Sequence, residues 1–288
     1  MEISAIIPAF NEEENIYPLY QKLSPILANI SPKHEIIFID DGSSDKTYAQ
    51  LTSLRNKDSK VKIIKFKKNF GQTAAWDAGF KLAQGKLVVV MDADLQNNPE
   101  DIPAMIEKLN QGYDVISGWR YQRKDPFSKR IFSKFSNRLR KFLTGETIND
   151  SGCSLKVYKK ECIKSLNLQG EMHRYITAIL SWKGYKIGEM KVRHHARKFG
   201  QTKYSASRLF KGMMDLLMIT FWQRYSSRPI HLFGFAGLIT AFIGFVLGMV
   251  SIYLRLFRSV DLSDTFLPNI SVFAVLMGIN LIIFGIIA

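Results

Sequence analysis

Leu87-Val88-Val89-Val90-Met91-Asp92-Ala93-Asp94-Leu95-Gln96 is the stretch whose reading decides the architecture. Its first half is a continuous apolar run rich in β-branched residues, the pattern of a strand buried on both faces. Its second half breaks into two carboxylates and an amide, groups that a buried strand interior does not accommodate without partners. The same break occurs twice upstream. The run 3–7 gives way to Pro8-Ala9-Phe10-Asn11-Glu12-Glu13, and the run 35–39 to Asp40-Asp41-Gly42-Ser43-Ser44-Asp45. Further apolar runs cover 61–66 and 115–117. Helix-compatible stretches at 13–28, 45–56, 73–83 and 99–111 lie between the runs, with Asp45 in an N-cap position and Pro99 in a first turn. Strand–helix alternation predicts an α/β fold with a mainly parallel sheet covered by helices on both faces. Ligands bind such sheets at the carboxyl ends of the strands, where these polar breaks fall.

The chain has 288 residues, is 47% hydrophobic and carries a net charge of +15. That is too apolar for disorder, and two cysteines, Cys153 and Cys162, provide neither a disulfide scaffold nor a cysteine zinc site. The strand-like run at 3–7 follows the first methionine closely, so no cleavable signal peptide is expected. Charge is distributed in blocks. Residues 1–118 sum to −3, residues 119–230 to +18, and residues 231–288 to zero. In the last block, 231–254 and 268–288 are apolar runs without a charge, separated by a loop with Arg255, Arg258, Asp261 and Asp264. At about 1.5 Å per residue, each can cross a hydrocarbon core of about 30 Å. A two-span transmembrane hairpin follows. Arg224 and Arg228 precede the first span while the loop is neutral, which predicts a multi-pass protein of the cytoplasmic membrane with residues 1–230 on the cytoplasmic side. The basic middle block abuts the bilayer, so the expected partner is lipid headgroup and anionic substrate, with no nucleic acid.

Asp92, Asp94 and Gln96 offer hard oxygen ligands within one short segment. That set suits Mg²⁺ or Mn²⁺, which take few carboxylates together with phosphate oxygens and water. Neither a Walker-type glycine loop nor a dinucleotide fingerprint is present. A metal-bound diphosphate, with its base and ribose at the first two strand ends, is the physical reading. Residues 127–145 place Phe127, Ile131, Phe135, Leu139 and Phe142 at helical spacing beside six basic residues and no acid, the pattern of an interfacial amphipathic helix. A second apolar segment, Leu209-Phe210 and 213–222, reads as an interfacial link to the bilayer. Adjacent His194 and His195 point to opposite faces of a strand and do not make a metal pair. Cys153 reads as a small buried residue, and the Lys-rich stretch 57–68 as a solvated strand edge and helix end.

Taken together, the motifs resemble the family 2 glycosyltransferases that load a sugar onto a polyprenyl phosphate, such as the dolichyl-phosphate mannose synthases and their bacterial undecaprenyl-phosphate relatives. In the first half the resemblance rests on Ile6-Ile7-Pro8-Ala9-Phe10-Asn11-Glu12-Glu13, Asp40-Asp41-Gly42-Ser43, Asn69-Phe70-Gly71-Gln72-Thr73-Ala74, and Asp92-Ala93-Asp94-Leu95-Gln96 with Pro99-Glu100. In the second half it rests on Gly118-Trp119-Arg120, the stretch Asp150-Ser151-Gly152-Cys153-Ser154-Leu155-Lys156, Gly170-Glu171-Met172-His173-Arg174-Tyr175, and Arg197 through Tyr204. Thr202 and Thr177 depart from the family's usual Ser and Pro without changing a charge, which bears on fine substrate preference.

The resemblance implies a GT-A, Rossmann-like catalytic domain over residues 1–205, with a nucleotide-sugar half at 1–118 and an acceptor half at 119–205. Juxtamembrane interfacial helices at 206–230 and the transmembrane hairpin at 231–288 follow. It implies a UDP- or GDP-sugar donor contacted by Pro8, Phe10, Glu12, Asp40 or Asp41, Asp92, Ala93 and Lys203. Asp94 and Gln96 would hold the metal. Arg120, Lys129, Ser133, Arg174 and Arg197 would surround the acceptor phosphate, with Asp150 as a candidate base. The nucleophile would be a phosphate oxygen, already largely deprotonated at pH 7 because its second pKa is about 6. Direct displacement by it inverts the sugar's anomeric centre. A processive polysaccharide synthase would normally add a Gln-x-x-Arg-Trp motif and more spans; a non-catalytic sugar-nucleotide-binding membrane protein would leave the metal segment unused. Homo-oligomerisation is left open.

Overall fold

The computed structural model describes residues 1–121, 141, 144–195, 214, 216, 218–221, 225, 228–258, 261 and 265–287. Lys129, Ser133, Arg197, Lys203 and Arg224, and most of the segments 127–145 and 206–227, lie outside the described residues. The chain divides into two compact units, Met1–Leu216 and Leu217–Ala288.

In the first unit the expected alternation is present. β1 (Ile3–Ala9), α1 (Ile16–Ile30), β2 (His34–Asp40), α2 (Thr47–Lys57), β3 (Val61–Lys65), α3 (Gln72–Leu82), β4 (Leu87–Val90), α4 (Ile102–Asn110) and β5 (Val115–Trp119) follow one another. A 3₁₀ turn at Pro99–Asp101 leads into α4, and the Asn98 side chain accepts a hydrogen bond from Glu100 N there. Beyond the sequence expectation come β6 (Lys156–Lys159), α5 (Lys160–Lys164), α6 (Ile176–Trp182) and β7 (Ile187–Lys191). Among the described residues, seven strands form one sheet in the order β3-β2-β1-β4-β6-β5-β7. All neighbouring pairs are parallel except those of β6, which runs antiparallel to β4 and β5. The chain moves from β1 outward through β2 and β3, then returns to place β4 on β1's other side. That reversal of strand order opens a crevice at the carboxyl ends of β1 and β4.

Side-chain alternation along the strands divides the core into two layers. Ile3, Ala5 and Ile7 of β1 pack with Leu19, Leu23 and Leu27 of α1, Leu51 of α2 and Met105 of α4 on one face. Ile6, Ile37 and Ile39 pack with Trp76 and Phe80 of α3 and with Ile176 and Leu180 of α6 on the other. Where α3 crosses β1, a Cβ on Gly79 would come within 2.5 Å of the Ile6 side chain, so only glycine permits that approach. The Lys-rich 57–68 stretch spans the end of α2 and the edge strand β3.

The second unit contains α7 (Ile230–Arg258) and α8 (Leu267–Ile287), two helices long and apolar enough to cross a membrane. α7 runs past the expected end at 254 and takes in Arg255 and Arg258, cations that its C-terminal dipole favours. The helices meet along a seam of small residues recurring every seven positions, Gly237, Gly244 and Ser251 against Ser271, Gly278 and Gly285. A Cβ on Gly278 would come 2.5 Å from the Gly237 carbonyl oxygen, and the Ser271 hydroxyl donates to the Gly244 carbonyl at 2.8 Å. Small residues that admit close backbone approach are how helices associate in lipid.

One buried acid ties the edge of the sheet together. Glu35 on β2 accepts from Ser4 Oγ of β1 at 2.5 Å and from Gln84 N at 2.7 Å, and pairs with Lys62 of β3 at 2.6 Å. Burial would raise its pKa, but the Lys62 and Ser4 hydrogen bonds outweigh burial and hold it below its ordinary value of 4.5. Removing the charge leaves Lys62 without its partner in a half-buried place. Glu35→Gln should therefore lower the Tm in detergent at pH 7 by roughly 5–10 °C. Because the folded-state pKa is depressed, that advantage of the wild type is complete above pH 4.5 and fades as pH falls through the folded value. A thermal scan series from pH 7 to pH 3 checks both statements.

Candidate active site

The crevice is built first by zipping the loops after β1 and β2 together. Asn11, in the left-handed region at φ 54°, donates its N–H to Ser43 Oγ at 2.9 Å and accepts from Ser44 N through Oδ1 at 2.8 Å. Glu12 N donates to Thr47 Oγ1, Glu13 N to Asp45, and Lys46 N back to Glu13. Asp45 also accepts from Thr47 N at 2.9 Å, so it ties off the start of α2 from one residue ahead of the cap position. These exchanges consume the polar residues at 11–13, which is why α1 begins at Ile16 rather than at the expected residue 13.

The two aspartates after β2 divide their work. Asp41 accepts from Phe70 N at 2.7 Å and Gly71 N at 3.0 Å, clamping the loop that leads into α3. Asp40 accepts from Ser43 N at 3.0 Å through Oδ1, while its Oδ2 is buried without a hydrogen-bond partner. The Asp40–Asp41 turn needs Gly42 at φ +72°, where a Cβ would meet the Lys68 backbone at 2.4 Å. Glu12 accepts from Asn15 Nδ2 at 2.6 Å; Pro8 and Phe10 are half-buried at the end of β1, and Ala93 is buried beyond β4.

The segment after β4 is held on every side. Asp92 Oδ1 accepts from Gln72 Nε2, at the first turn of α3, at 2.7 Å. Gln96 N donates to Asp94 Oδ1 at 3.2 Å, and Leu95 between them adopts φ 60°, a strained conformation for leucine. Asn97 donates to Ser154 Oγ at 2.7 Å and bridges His194. His195 N donates to Gln96 O at 2.8 Å, and Gln96 Nε2 to His195 O at 3.3 Å. Burial, then the neighbouring Asp94 carboxylate, push the Asp92 carboxyl up to about 6, against the pull of Ser154, Arg120 and Lys156. Two mutually repelling carboxylates are a donor set that a divalent cation relieves. No cluster of three or more His, Cys, Asp or Glu side chains forms a metal cage among the described residues. The residues fit an ion of the Mg²⁺ type, held by one or two carboxylates and completed by phosphate oxygens and water.

Across the crevice stands the second half of the site. Arg120, just past β5, donates Nε and Nη2 to the two oxygens of Asp150 at 2.7 and 2.8 Å, and its backbone N–H reaches Asp150 Oδ2 at 3.2 Å. Burial would raise the Asp150 pKa, but the Arg120 guanidinium holds it below the usual carboxylate range. Lys156, fully buried, donates Nζ to the carbonyls of Ser151, at 3.1 Å, and Cys153, and lies 5.6 Å from the centre of the Trp76 ring. Burial lowers its pKa. Burial pushes the Cys153 thiol up to about 11, leaving it a neutral packing group. His173 shares a 2.6 Å hydrogen bond with Thr73 and packs on Trp76, while Arg174 pairs with Glu171 at 3.2 Å.

The structure thus brings Asp92, Asp94, Arg120 and Asp150 to one carboxyl edge. Gln72, Lys156 and Glu189 were not singled out in the sequence as individual site residues, although the first two stand inside quoted motifs. The signal for Lys156 was a lysine between Leu155 and Val157 in a strand-like run.

With this geometry in view, comparison places the chain. The family model described as "Glycosyl transferase family 2" matches residues 4–166, and the chain belongs to that family. The dodecaprenyl-phosphate galacturonate synthase of Rhizobium johnstonii is 42% identical over 243 residues, covering 83% of this chain and 72% of the relative. The undecaprenyl-phosphate 4-deoxy-4-formamido-L-arabinose transferase of Klebsiella pneumoniae is 34% identical over 256 residues, covering 88% and 77%. Among solved structures, glucosyl-3-phosphoglycerate synthase from Mycobacterium tuberculosis, in complex with Mn²⁺ and UDP-glucose, superposes with a TM-score of 0.57 at 18% identity over 77% of this chain and 78% of that one. That likeness establishes the GT-A fold.

A carboxyl pKa raised to about 6 means that the folded state loses stability as pH rises from about 4 through 6. In metal-free protein, Asp92→Asn should therefore raise the Tm at pH 7.5, with the gain vanishing toward pH 4. Parallel melts of the two proteins check this; a variant less stable than wild type at pH 7.5 contradicts the repulsion.

Proposed function

We propose that the chain transfers a sugar from a nucleoside diphosphate sugar to the phosphate of a membrane polyprenyl phosphate, with inversion at the anomeric carbon. The observation that carries this reading is the placement of an arginine–aspartate pair and a twin-carboxylate segment on one sheet edge, in a chain 42% identical to a dodecaprenyl-phosphate galacturonate synthase.

Each part has a task that its geometry supports. Asp40 Oδ2, buried and without a partner, is an acceptor suited to a nucleobase N–H, whereas Asp41 serves the loop that surrounds the base. Pro8, Phe10, Glu12 and Ala93 would serve the same donor side, and Lys203, outside the described residues, would contribute a cation to the diphosphate. Asp94 and Gln96, beside Asp92, would hold Mg²⁺ or Mn²⁺, which supplies charge neutralisation to the departing diphosphate when bound. Arg120 spends two of its five guanidinium N–H donors on Asp150 and keeps three for an anion. Arg174, and in the stretches outside the described residues Lys129, Ser133 and Arg197, complete the acceptor phosphate's surroundings. Asp150 acts by aiming Arg120 and not as a base, because its proton affinity is depressed and the phosphate nucleophile brings no proton that must be removed.

The α7–α8 hairpin supports a membrane location, and Arg228 ahead of α7 supports an orientation with the catalytic unit on the cytoplasmic side.

Asp94→Asn replaces a charged hard ligand by a neutral one. It should cut transfer to undecaprenyl phosphate at least a hundredfold when a panel of nucleotide sugars is assayed with Mg²⁺ or Mn²⁺, and should weaken metal-dependent nucleotide binding. Undiminished activity in that variant, or in wild type with EDTA, counts against the metal assignment. For topology, in a protein whose native cysteines are replaced, an impermeant thiol reagent applied to intact cells should label Asp261→Cys and spare Ser53→Cys. The opposite labelling reverses the orientation.

A further inference from the structure

Glu189 lies on β7, the edge strand, opposite Ser117 of β5 and three residues before the level of Arg120. Its carboxylate collects the start of the loop that carries Asp150. Oε1 accepts from Asn149 N at 2.9 Å and Asp150 N at 2.8 Å, and Oε2 from Asn149 N at 3.1 Å and Asn149 Nδ2 at 2.8 Å. Two successive backbone N–H groups converging on one carboxylate form a charge-assisted anchor, stronger than neutral hydrogen bonds. Lys108 Nζ, from α4, donates to the Glu189 carbonyl at 2.8 Å and so braces the strand at the same residue. At the far end of the loop, Lys156 binds the carbonyls of Ser151 and Cys153. The loop is therefore gripped at its N–H groups by an anion and at its carbonyls by a cation, and Asp150 sits between the grips.

We infer that Glu189 is a positioning residue for the acceptor phosphate: by fixing the Asn149–Asp150 backbone it sets the plane in which Asp150 holds the Arg120 guanidinium. The inference rests on the proposed role of Arg120. A guanidinium binds phosphate well only when its fork is oriented, since the bidentate geometry is what distinguishes it from a diffuse charge. Asp150 contacts the guanidinium through both of its oxygens, so a rotation of the carboxylate turns the fork with it. The donor side is anchored separately, through Asp41, Gln72 and the Asn11–Ser44 exchanges. Loss of Glu189 should consequently be felt by the acceptor and not by the nucleotide.

The test uses Glu189→Gln, which keeps the shape but turns an NH₂ group toward N–H donors whichever way the amide is placed. In full-length protein in detergent, the Kd of undecaprenyl phosphate should rise about tenfold, while the Kd values of UDP and GDP with Mg²⁺ stay within twofold of wild type. Asn149→Ala removes the side-chain bond to Glu189, and with it the bond that Asn149 Oδ1 accepts from the exposed Lys141 Nζ at 3.0 Å, but leaves both backbone N–H groups on Glu189. It should weaken the lipid two- to threefold with the same selectivity, which keeps the test usable if Glu189→Gln folds poorly. In an Arg120→Ala background, where the lipid is already bound weakly, Glu189→Gln should add less than twofold. Additive losses, a loss shared by the nucleotides, or unchanged lipid binding in Glu189→Gln and Asn149→Ala while Arg120→Ala binds poorly, would each overturn the role of Glu189 and leave that of Arg120 standing. Unchanged lipid binding in Arg120→Ala would instead remove the Arg120 assignment, and the inference with it.

Discussion

The direction of one short strand organises the catalytic unit. β6 lies between β4 and β5 and runs against both, so that Lys156 is level with Val90 on one side and Ser117 on the other. The segment that enters β6 must therefore arrive at the carboxyl ends of its neighbours, where Asp92 and Arg120 emerge. A parallel strand in that slot would have delivered residues 150–155 to the opposite edge of the sheet. The reversal also explains how a lysine comes to be fully buried at the start of a strand. Its ammonium is desolvated, an arrangement that survives only with close partners, and it finds them in the carbonyls of the loop just ahead of it and in the fields of Asp92 and Asp150.

Charges of alternating sign then run across the crevice. The Asp92–Asp94 pair repels itself, the Lys156 and Arg120 cations face it, and Asp150 and Glu189 stand behind Arg120. The cations have partners of their own, and beside Asp94 the Asp92 carboxyl keeps a raised proton affinity. On the proposed reading, a repulsion of this kind lowers folded-state stability and is relieved by an incoming cation, a trade common at functional constellations. The strained φ at Leu95 belongs to the same account, since it turns the chain so that Asp94 and Gln96 occupy one short bend.

The first 118 residues were legible in the sequence because their signals are local. Long β-branched runs ending in Asp or Asn mark strand ends without reference to the rest of the chain, and β1, β2, β4 and their polar breaks lie where those runs place them. What separates Asp40 from Asp41 was not legible: adjacent carboxylates point to different neighbours, and the neighbour of Asp41 is a loop almost thirty residues away. The part of the sheet that follows residue 118 was legible only through resemblance. Lys156–Lys159 is four residues long with a lysine at each end, and Ile187–Lys191 alternates weakly, so neither shows the period of a strand. Nothing in Glu189 distinguishes it from a solvated edge residue until the Asn149–Asp150 turn is folded against it.

The hairpin obeys the opposite rule from the catalytic unit. Its seam is made of glycine and serine, while Phe235, Phe242, Phe257 and Phe273 are turned outward, Phe273 at 74% exposure. In water that distribution would leave a continuous apolar surface far larger than soluble proteins carry. In hydrocarbon it costs nothing, because lipid tails satisfy the large side chains and close backbone contact across Gly237 and Gly278 supplies the association. The two units are thus solved for different solvents, one burying its apolar residues under helices and the other displaying them. That division matches a reaction whose donor is a water-soluble nucleotide sugar and whose acceptor is a lipid. On the proposed reading the chemistry needs only the acceptor's phosphate, a group that stays at the aqueous boundary, so a water-adapted fold suffices for the transfer itself.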